Sequence, residues 1–149
     1  MTDTPPAENL AYFRRTRAPL LSALPAFAAQ AVRRFTPLVL LTPDRETADR
    51  INADLWSFDE AVFVPHGGPG DPHPERQPLW IVPSPLPSAP PNGAQSVLAV
   101  PPFAAEDTST LLQYPRLIVL FSQADDPLPV RALWQAVKDT GREVDYREI

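Results

Sequence analysis

The two histidines of the chain, His66 and His73, lie seven residues apart in a segment rich in proline and glycine. The chain has no cysteine, and the two histidines lack the i,i+4 spacing that places side chains on one helix face. A zinc site needs three or four ligands in a fixed geometry. The sequence therefore predicts loop histidines and no metal site. A Gly-x-Ser-x-Gly motif, the usual sign of a hydrolase serine, is also absent.

The glycine-rich segment at 66–70 lacks the features of a phosphate-binding loop, because it has neither Lys-Ser/Thr nor Gly-x-Gly-x-x-Gly. We therefore expect no nucleotide and no other cofactor. Asp125 and Asp126 resemble a carboxylate pair, but their position favours a helix cap and its neighbour. One enzymatic alternative stays open: a small α/β enzyme or nucleotide-binding domain that uses His66 and the glycine loop. It requires a concave pocket with convergent polar groups at the carboxyl ends of the strands.

The last predicted helix combines an aromatic residue with cations. Its apolar stripe consists of Val130, Leu133, Trp134 and Val137, and its polar stripe of Arg131, Gln135, Lys138 and Arg142. Trp134 has Arg131 and Lys138 as neighbours on the helix surface. An aromatic bordered by cations suits a short acidic peptide with a terminal carboxylate and an apolar end residue. The alternative, which the residues alone favour, is a buried Trp134 and a solvated cationic face.

A second aromatic group, Trp56, Phe58 and Phe63, follows a helix that has its own apolar stripe. Aromatic residues are usually buried, so core packing is one interpretation. The other interpretation is an exposed binding patch, because this segment has more large apolar side chains than one helix face can bury.

Apolar runs alternate with helix signals along the chain. The predicted strands are at 11–15, 38–41, 63–64, 79–82, 96–100, 117–121 and 144–146; the predicted helices are at 20–33, 43–55, 104–113 and 127–140. Pro25 should delay or bend the first helix. Thr42 should cap the second, with Pro43 at its first position. Alternating strands and helices predict one α/β domain with a mostly parallel sheet flanked by helices.

Composition narrows the class of protein. The 149 residues suit one domain, and a net charge of −5 argues against a general nucleic-acid binder, which needs a basic face. We expect a flexible tail at 1–10, without the features of a signal peptide, and no membrane span. Ten of the 21 prolines lie at 65–91, which predicts a long irregular connection there. A chain without cysteine is compatible with the cytoplasm.

Four segments, in order and with fitting spacing, resemble the chi subunit of bacterial DNA polymerase III. They are Leu55-Trp56-Ser57-Phe58-Asp59, Phe63-Val64-Pro65-His66-Gly67, Pro91-Asn92-Gly93, and Arg131-Ala132-Leu133-Trp134 with Gly141. The resemblance runs from about Tyr12 to Tyr146. It implies a Rossmann-like domain at 11–149 that binds no nucleotide and acts as a non-catalytic accessory subunit of the polymerase assembly.

The resemblance also implies partners. Trp56, Phe63 and Pro65 match positions that face the psi subunit, which tethers chi to the clamp loader. Arg131 and Trp134 match the helix that faces the acidic, Phe-ended tail of single-stranded-DNA-binding protein. Phe121 is then a candidate pocket wall and Lys138 a further cation. Gln135 departs from the family, in which that position is often basic.

Such an adaptor would meet DNA only indirectly and would work in the bacterial cytoplasm at replication forks. Where psi is missing, another clamp-loader component or a helicase would take the Trp56 surface. The adaptor interpretation predicts two exposed apolar patches and no pocket at the carboxyl ends of the strands, whereas the enzyme interpretation predicts that pocket.

Overall fold

The computed structural model describes residues 10–57 and 65–149. Its helices and strands follow one another as β1 (Leu10–Thr16), α1 (Leu20–Phe35), β2 (Leu38–Thr42), α2 (Arg45–Trp56), β3 (His66–Gly67), β4 (Leu79–Pro83), β5 (Ser96–Ala99), α3 (Ala105–Gln113), β6 (Arg116–Ser122), α4 (Pro127–Asp139) and β7 (Glu143–Glu148). The predicted strand at 63–64 lies outside the described residues, as does the predicted tail except Leu10, which begins β1.

Within the described residues, the strands form one parallel sheet in the order β3-β4-β2-β5-β6-β1-β7. This is the α/β arrangement that the alternating pattern predicts, and it is Rossmann-like, as the resemblance implies. Parallel neighbours place their carboxyl ends along one edge of the sheet, so side chains far apart in sequence meet there. β3 and β7 form the two lateral edges.

Each face of the sheet carries its own apolar core. Leu38 and Leu40 of β2 pack with α1 and α2, whereas Val39 and Leu41 pack with α3 and α4. Successive side chains of a strand point to opposite faces, and all five residues of β2 are buried. A run of apolar residues, with no alternation between apolar and polar side chains, is therefore what an interior strand covered on both faces requires.

Two predicted details of the helices are wrong. The cap of α2 is Asp44, whose carboxylate accepts a hydrogen bond from the Thr47 N–H at 2.7 Å. Thr42 is instead the last residue of β2, and its hydroxyl donates to Val82 O, so Pro43 precedes the helix. Helix α1 begins at Leu20 and includes the buried Pro25, so the predicted delay of its start is wrong.

The beginning and end of α4 are as predicted. Asp126 caps the helix by accepting a hydrogen bond from the Leu128 N–H, and Pro127 follows at the first helical position. Gly141, just beyond the helix, has a φ of 88°, a conformation that glycine adopts without steric cost. The chain then turns into β7, which pairs with β1.

Candidate functional site

A groove of about 600 Å³ lies between α4 and the carboxyl ends of β1 and β6. We call it the α4 groove. It is defined by Arg15, Phe121, Val130, Arg131, Trp134 and Tyr146. β1 and β6 end at this edge, and the chain turns from β6 into α4. The turn leaves a concave space beyond the ends of the strands. The expectation that an adaptor would have no pocket at this edge is therefore wrong.

Trp134 forms the aromatic centre of the α4 groove. Its ring meets the buried Phe13 ring edge-on at a centroid distance of 5.1 Å, and the Tyr146 ring at 6.0 Å. The side chain is half-buried, so the two interpretations of Trp134 each hold in part: one side packs on the core and the other lines the groove. Edge-to-face contacts fix the ring without closing the space beside it.

Two arginines from different elements give the groove its positive charge. Arg131 projects from α4 and is exposed, whereas Arg15 comes from the end of β1 and is half-buried. A hydrogen bond with the Tyr146 side chain, and then the charge of Glu148 at 3.1 Å, raise the pKa of Arg15 above its ordinary value. The guanidinium is charged at physiological pH, as any arginine is, and Tyr146 and Glu148 hold its orientation.

The acidic residues beside the groove already have structural partners. The Asp125 carboxylate accepts a hydrogen bond from the Ser122 N–H at 2.7 Å, and Asp126 caps α4. Gln135 lines the groove, and its amide donates to Asp139 at 2.9 Å. The two aspartates are thus the cap and its neighbour, as expected from the sequence.

Two predicted members of the cationic stripe do not line the α4 groove. Arg142 is not on α4, because the helix ends at Asp139; its guanidinium is directed to the carbonyl of Tyr114, and burial lowers its pKa. The predicted i, i+11 spacing fails because helical periodicity ends with the helix. Lys138 does not line the α4 groove, although its Nζ lies 5.9 Å from the centre of the Trp134 ring.

Sequence reasoning missed Arg15 and Tyr146. The available signal was the pair Arg14-Arg15 at the end of the otherwise apolar β1, since charges at the carboxyl end of a parallel strand point to a site. Tyr146 reaches the groove because β7 pairs with β1, with Phe13 opposite Tyr146. This pairing joins segments about 130 residues apart, which periodicity does not show.

A second candidate surface lies at the β3 edge of the sheet. The Trp56 side chain is 57% exposed, and its ring packs on His66 at a centroid distance of 4.6 Å. Pro65 is also exposed. We call Trp56 and Pro65 the Trp56 patch. Phe63, the third predicted member, lies outside the described residues.

His66 is buried beneath this patch and takes no part in the α4 groove. It is 3% exposed, and its Nε2 lies 3.3 Å from the carbonyl of Asn52. Next to it, Gly67 also belongs to β3 and lies against the buried Trp80 ring, so the start of the glycine-rich segment is part of the sheet. The enzyme interpretation needs His66 in a pocket at the carboxyl ends of the strands, and His66 does not line the groove found there.

Residues 10–57 and 65–149 lack two further features. No group of three His, Cys, Asp or Glu side chains there is arranged to hold a metal ion. No helix in those ranges has the length and apolar character needed to span a membrane.

Comparison with known proteins identifies the family. The family model described as "DNA polymerase III chi subunit, HolC" matches residues 9–145. The chain belongs to the chi family. It is also 31% identical over 85 residues to the "Probable DNA polymerase III subunit chi" of Rickettsia prowazekii (strain Madrid E). That match covers 57% of this chain and 48% of the relative, so it spans about half of the relative's length.

Both candidate surfaces, apart from Tyr146, fall within the range that matches the chi family. The Trp56 patch and five of the six residues that define the α4 groove lie inside 9–145, and Tyr146 is the next residue. The two surfaces therefore belong to the chi domain itself.

Proposed function

We propose that this protein is a non-catalytic accessory subunit of DNA polymerase III. In this role it bridges the clamp loader, through psi or an equivalent component, to the tail of single-stranded-DNA-binding protein during DNA replication. Membership of the chi family supports the replication role. The observation that carries the binding proposal is the α4 groove, where arginines from two elements border an aromatic floor.

The α4 groove has the chemistry to bind an acidic peptide with an aromatic end. A terminal Phe ring would lie among Phe121, Trp134 and Tyr146, where apolar and edge-to-face contacts stabilise it. Arg131 and Arg15 would take the terminal carboxylate and the preceding acidic side chains through charge-assisted hydrogen bonds. Because Arg131 is exposed, these contacts should weaken as salt rises. Lys138 would add long-range attraction at the rim.

The Trp56 patch is the proposed contact with the clamp loader. An exposed Trp next to a proline offers a rigid apolar anchor, the kind of residue that dominates binding energy in interfaces. Phe63 would complete it, as the resemblance to chi implies. Two contacts of modest affinity on one domain raise the effective concentration of each partner near the other. A protein that links two partners in this way needs no active site.

We place DNA only indirectly in this function. The net charge of −5 opposes binding to phosphates. Trp80, a residue considered for stacking on bases, is 7% exposed and therefore has no face to offer. The proposed place of action is the bacterial cytoplasm.

The test is calorimetric titration with a synthetic acidic peptide that ends in Pro-Phe, at low and moderate salt. Beside the unaltered protein, we would measure Arg131→Ala and the control Arg45→Ala, which removes an exposed cation on α2. We expect saturable binding that weakens with salt, a loss of about tenfold or more in Arg131→Ala, and no change in Arg45→Ala.

A second peptide with a C-terminal amide tests the role of the terminal carboxylate. It should bind more weakly, because one charge that faces the arginines is gone. Equal binding of both peptides, equal effects of both substitutions, or no binding at low salt would each contradict the proposed tail-binding role.

A further inference from the structure

The opposite face of β1 forms a second groove, of about 510 Å³, between this strand and α1. We call it the α1 groove. It is defined by Arg14, Ala23, Ala26, Phe27, Gln30 and Arg34. It is separate from the α4 groove, because Arg14 and Arg15 are successive residues of a strand and point to opposite faces of the sheet. The Trp56 patch lies at the far edge of the sheet.

The shape of the α1 groove follows from the position of α1. The main sheet contacts of α1 are with β6 and β2, so the outer strands β1 and β7 are less covered on this face. Ala23, Ala26, Gln30 and Arg34 recur at helical spacing along one side. This row is about 16 Å long at 1.5 Å per residue. A groove of this length beside a helix can receive the side chains of another helix face.

The lining of the groove is apolar with two cations. Phe27 is half-buried, Ile149 at one end is 55% exposed, and Ala23 and Ala26 let a partner backbone come close. The Arg34 guanidinium lies over the Tyr12 ring at 5.7 Å and the Phe35 ring at 4.8 Å. Cation–π contacts of this kind hold a guanidinium in place without neutralising its charge.

The charge balance around the groove is positive. Arg14 donates to the Asp145 carbonyl at 2.7 Å and lies 3.6 Å from the Asp145 carboxylate, which also pairs with Arg147 at 3.3 Å. Two arginines thus share one aspartate, and Arg34 adds a further charge. No Asp or Glu is among the described residues that line the groove. On a chain of net charge −5, this groove is a local exception.

We propose that the α1 groove docks an acidic amphipathic helix of a partner protein. Its apolar face lies on Phe27 and the two alanines, and its carboxylates meet Arg34 and the Arg14/Arg147 pair. The bound helix covers the outer strands beside α1. Charge complementarity selects an acidic partner over a basic one, and the straight row along α1 selects a helix over a short tail.

The test uses a probe peptide of about 18 residues, long enough to be helical, with leucines on one face and glutamates on the other. The control peptide has lysines in place of the glutamates. Each is titrated into the isotope-labelled protein, and amide shifts are followed by NMR. We expect saturable shifts at Ala23, Ala26 and Gln30 with the acidic peptide, and none with the basic one.

Neighbouring arginines provide a matched pair of variants. Arg34→Glu reverses a charge in the groove, whereas Arg33→Glu reverses the charge of the adjacent exposed residue, which does not line it. We expect Arg34→Glu to weaken binding of the acidic peptide about tenfold or more, and Arg33→Glu by less than about threefold. Gln30→Glu, an exposed site without the ring contacts of Arg34, should also weaken binding if the groove is the site.

Three results would overturn the proposal: equal effects of Arg34→Glu and Arg33→Glu, shifts at Arg131 and Trp134 instead of at α1, or shifts at α1 that appear with protein concentration alone. The last result would assign the groove to a second copy of the chain. The Pro-Phe peptide is titrated into the same variants. Loss of its binding in Arg131→Ala but not in Arg34→Glu separates the two grooves, so either proposal can fail alone.

Discussion

Adjacent residues in this protein have separate surroundings because a strand alternates its faces. Arg14 is directed to the α1 groove and is tied to Asp145, whereas Arg15 is directed to the α4 groove and is tied to Tyr146 and Glu148. In the sequence, Arg14 and Arg15 form one basic pair. The sheet converts the pair into two single charges, each in a different groove.

Tyr114 provides a residue-scale prediction about pH. It is 3% exposed, its hydroxyl donates to the carbonyl of Pro87 at 2.6 Å, and burial raises its pKa to about 12. At pH 8 we expect Tyr114→Phe to lower the free energy of unfolding by about 1 kcal/mol, because the part-buried carbonyl of Pro87 loses its donor.

The stability advantage of Tyr114 over Phe should depend on pH. The pKa of Tyr114 is higher in the folded protein than in the unfolded chain, where the hydroxyl ionises near its ordinary pKa of about 10. The contribution of Tyr114 to the unfolding free energy is therefore complete below about pH 10 and is lost as the pH rises towards 12. The difference in unfolding free energy between the two proteins should therefore shrink by about 1 kcal/mol between pH 8 and 11. Urea denaturation at several pH values measures it, and a constant difference would contradict the assigned cause.

The strands and helices are the part of the structure that the sequence predicts best. β2 and β6 are apolar runs that only an interior strand accommodates, and α4 carries a cap, a proline and a terminal glycine. The first residue of α2 is harder to predict from sequence, because Thr42 and Asp44 are both residue types that cap helices. The choice between them depends on the length of β2, which is set by pairing with β4.

An element-scale prediction concerns the close approach of β3 and β4. Gly67 pairs with Trp80, and a Cβ at Gly67 would lie 2.7 Å from the indole ring, which is buried. We expect Gly67→Ala to lower the free energy of unfolding by about 1–3 kcal/mol through overpacking. Denaturant unfolding at neutral pH measures this change.

Gly68→Ala is the control for that substitution. A Cβ there would have its nearest contact with Ile81 at 3.6 Å, an ordinary van der Waals distance. Its unfolding free energy should stay within about 0.5 kcal/mol of the parent value. If the unfolding free energy falls by a similar amount in both variants, the backbone conformation of this segment, and not the Trp80 ring, is the reason for glycine at position 67.

At the scale of the whole molecule, the candidate site was predicted in part. Arg131 and Trp134 follow from one helix, and helical periodicity is visible in a sequence. Arg15 and Tyr146 required knowledge that β1 lies between β6 and β7, a strand order that no local pattern contains. Residues contributed by long-range pairing are therefore the ones that sequence reasoning misses.

The separation of the two proposed contacts gives a whole-molecule prediction. The Trp56 patch is at the β3 edge and the α4 groove is near β1 and β7, with three strands between β3 and β6. Substitutions that share no partners act independently. Trp56→Ala should therefore leave the affinity for the Pro-Phe peptide within about twofold of the parent value by calorimetry.

Arg131→Ala, titrated in the same series, shows that the assay detects loss of binding. Folding of Trp56→Ala is checked by its denaturation curve. A large drop in peptide affinity in a folded Trp56→Ala protein would show that the two surfaces are coupled, and the simple bridge would have to be replaced by an allosteric one.

The three tryptophans occupy three different environments: Trp56 is 57% exposed, Trp80 is 7% exposed, and Trp134 is half-buried in the wall of the α4 groove. Indole emission depends on the polarity around the ring. The protein thus carries an intrinsic fluorophore at each of the two surfaces of the proposed bridge, the Trp56 patch and the α4 groove, and a third inside the fold. Single-tryptophan versions would report occupancy of either surface optically, without any attached label.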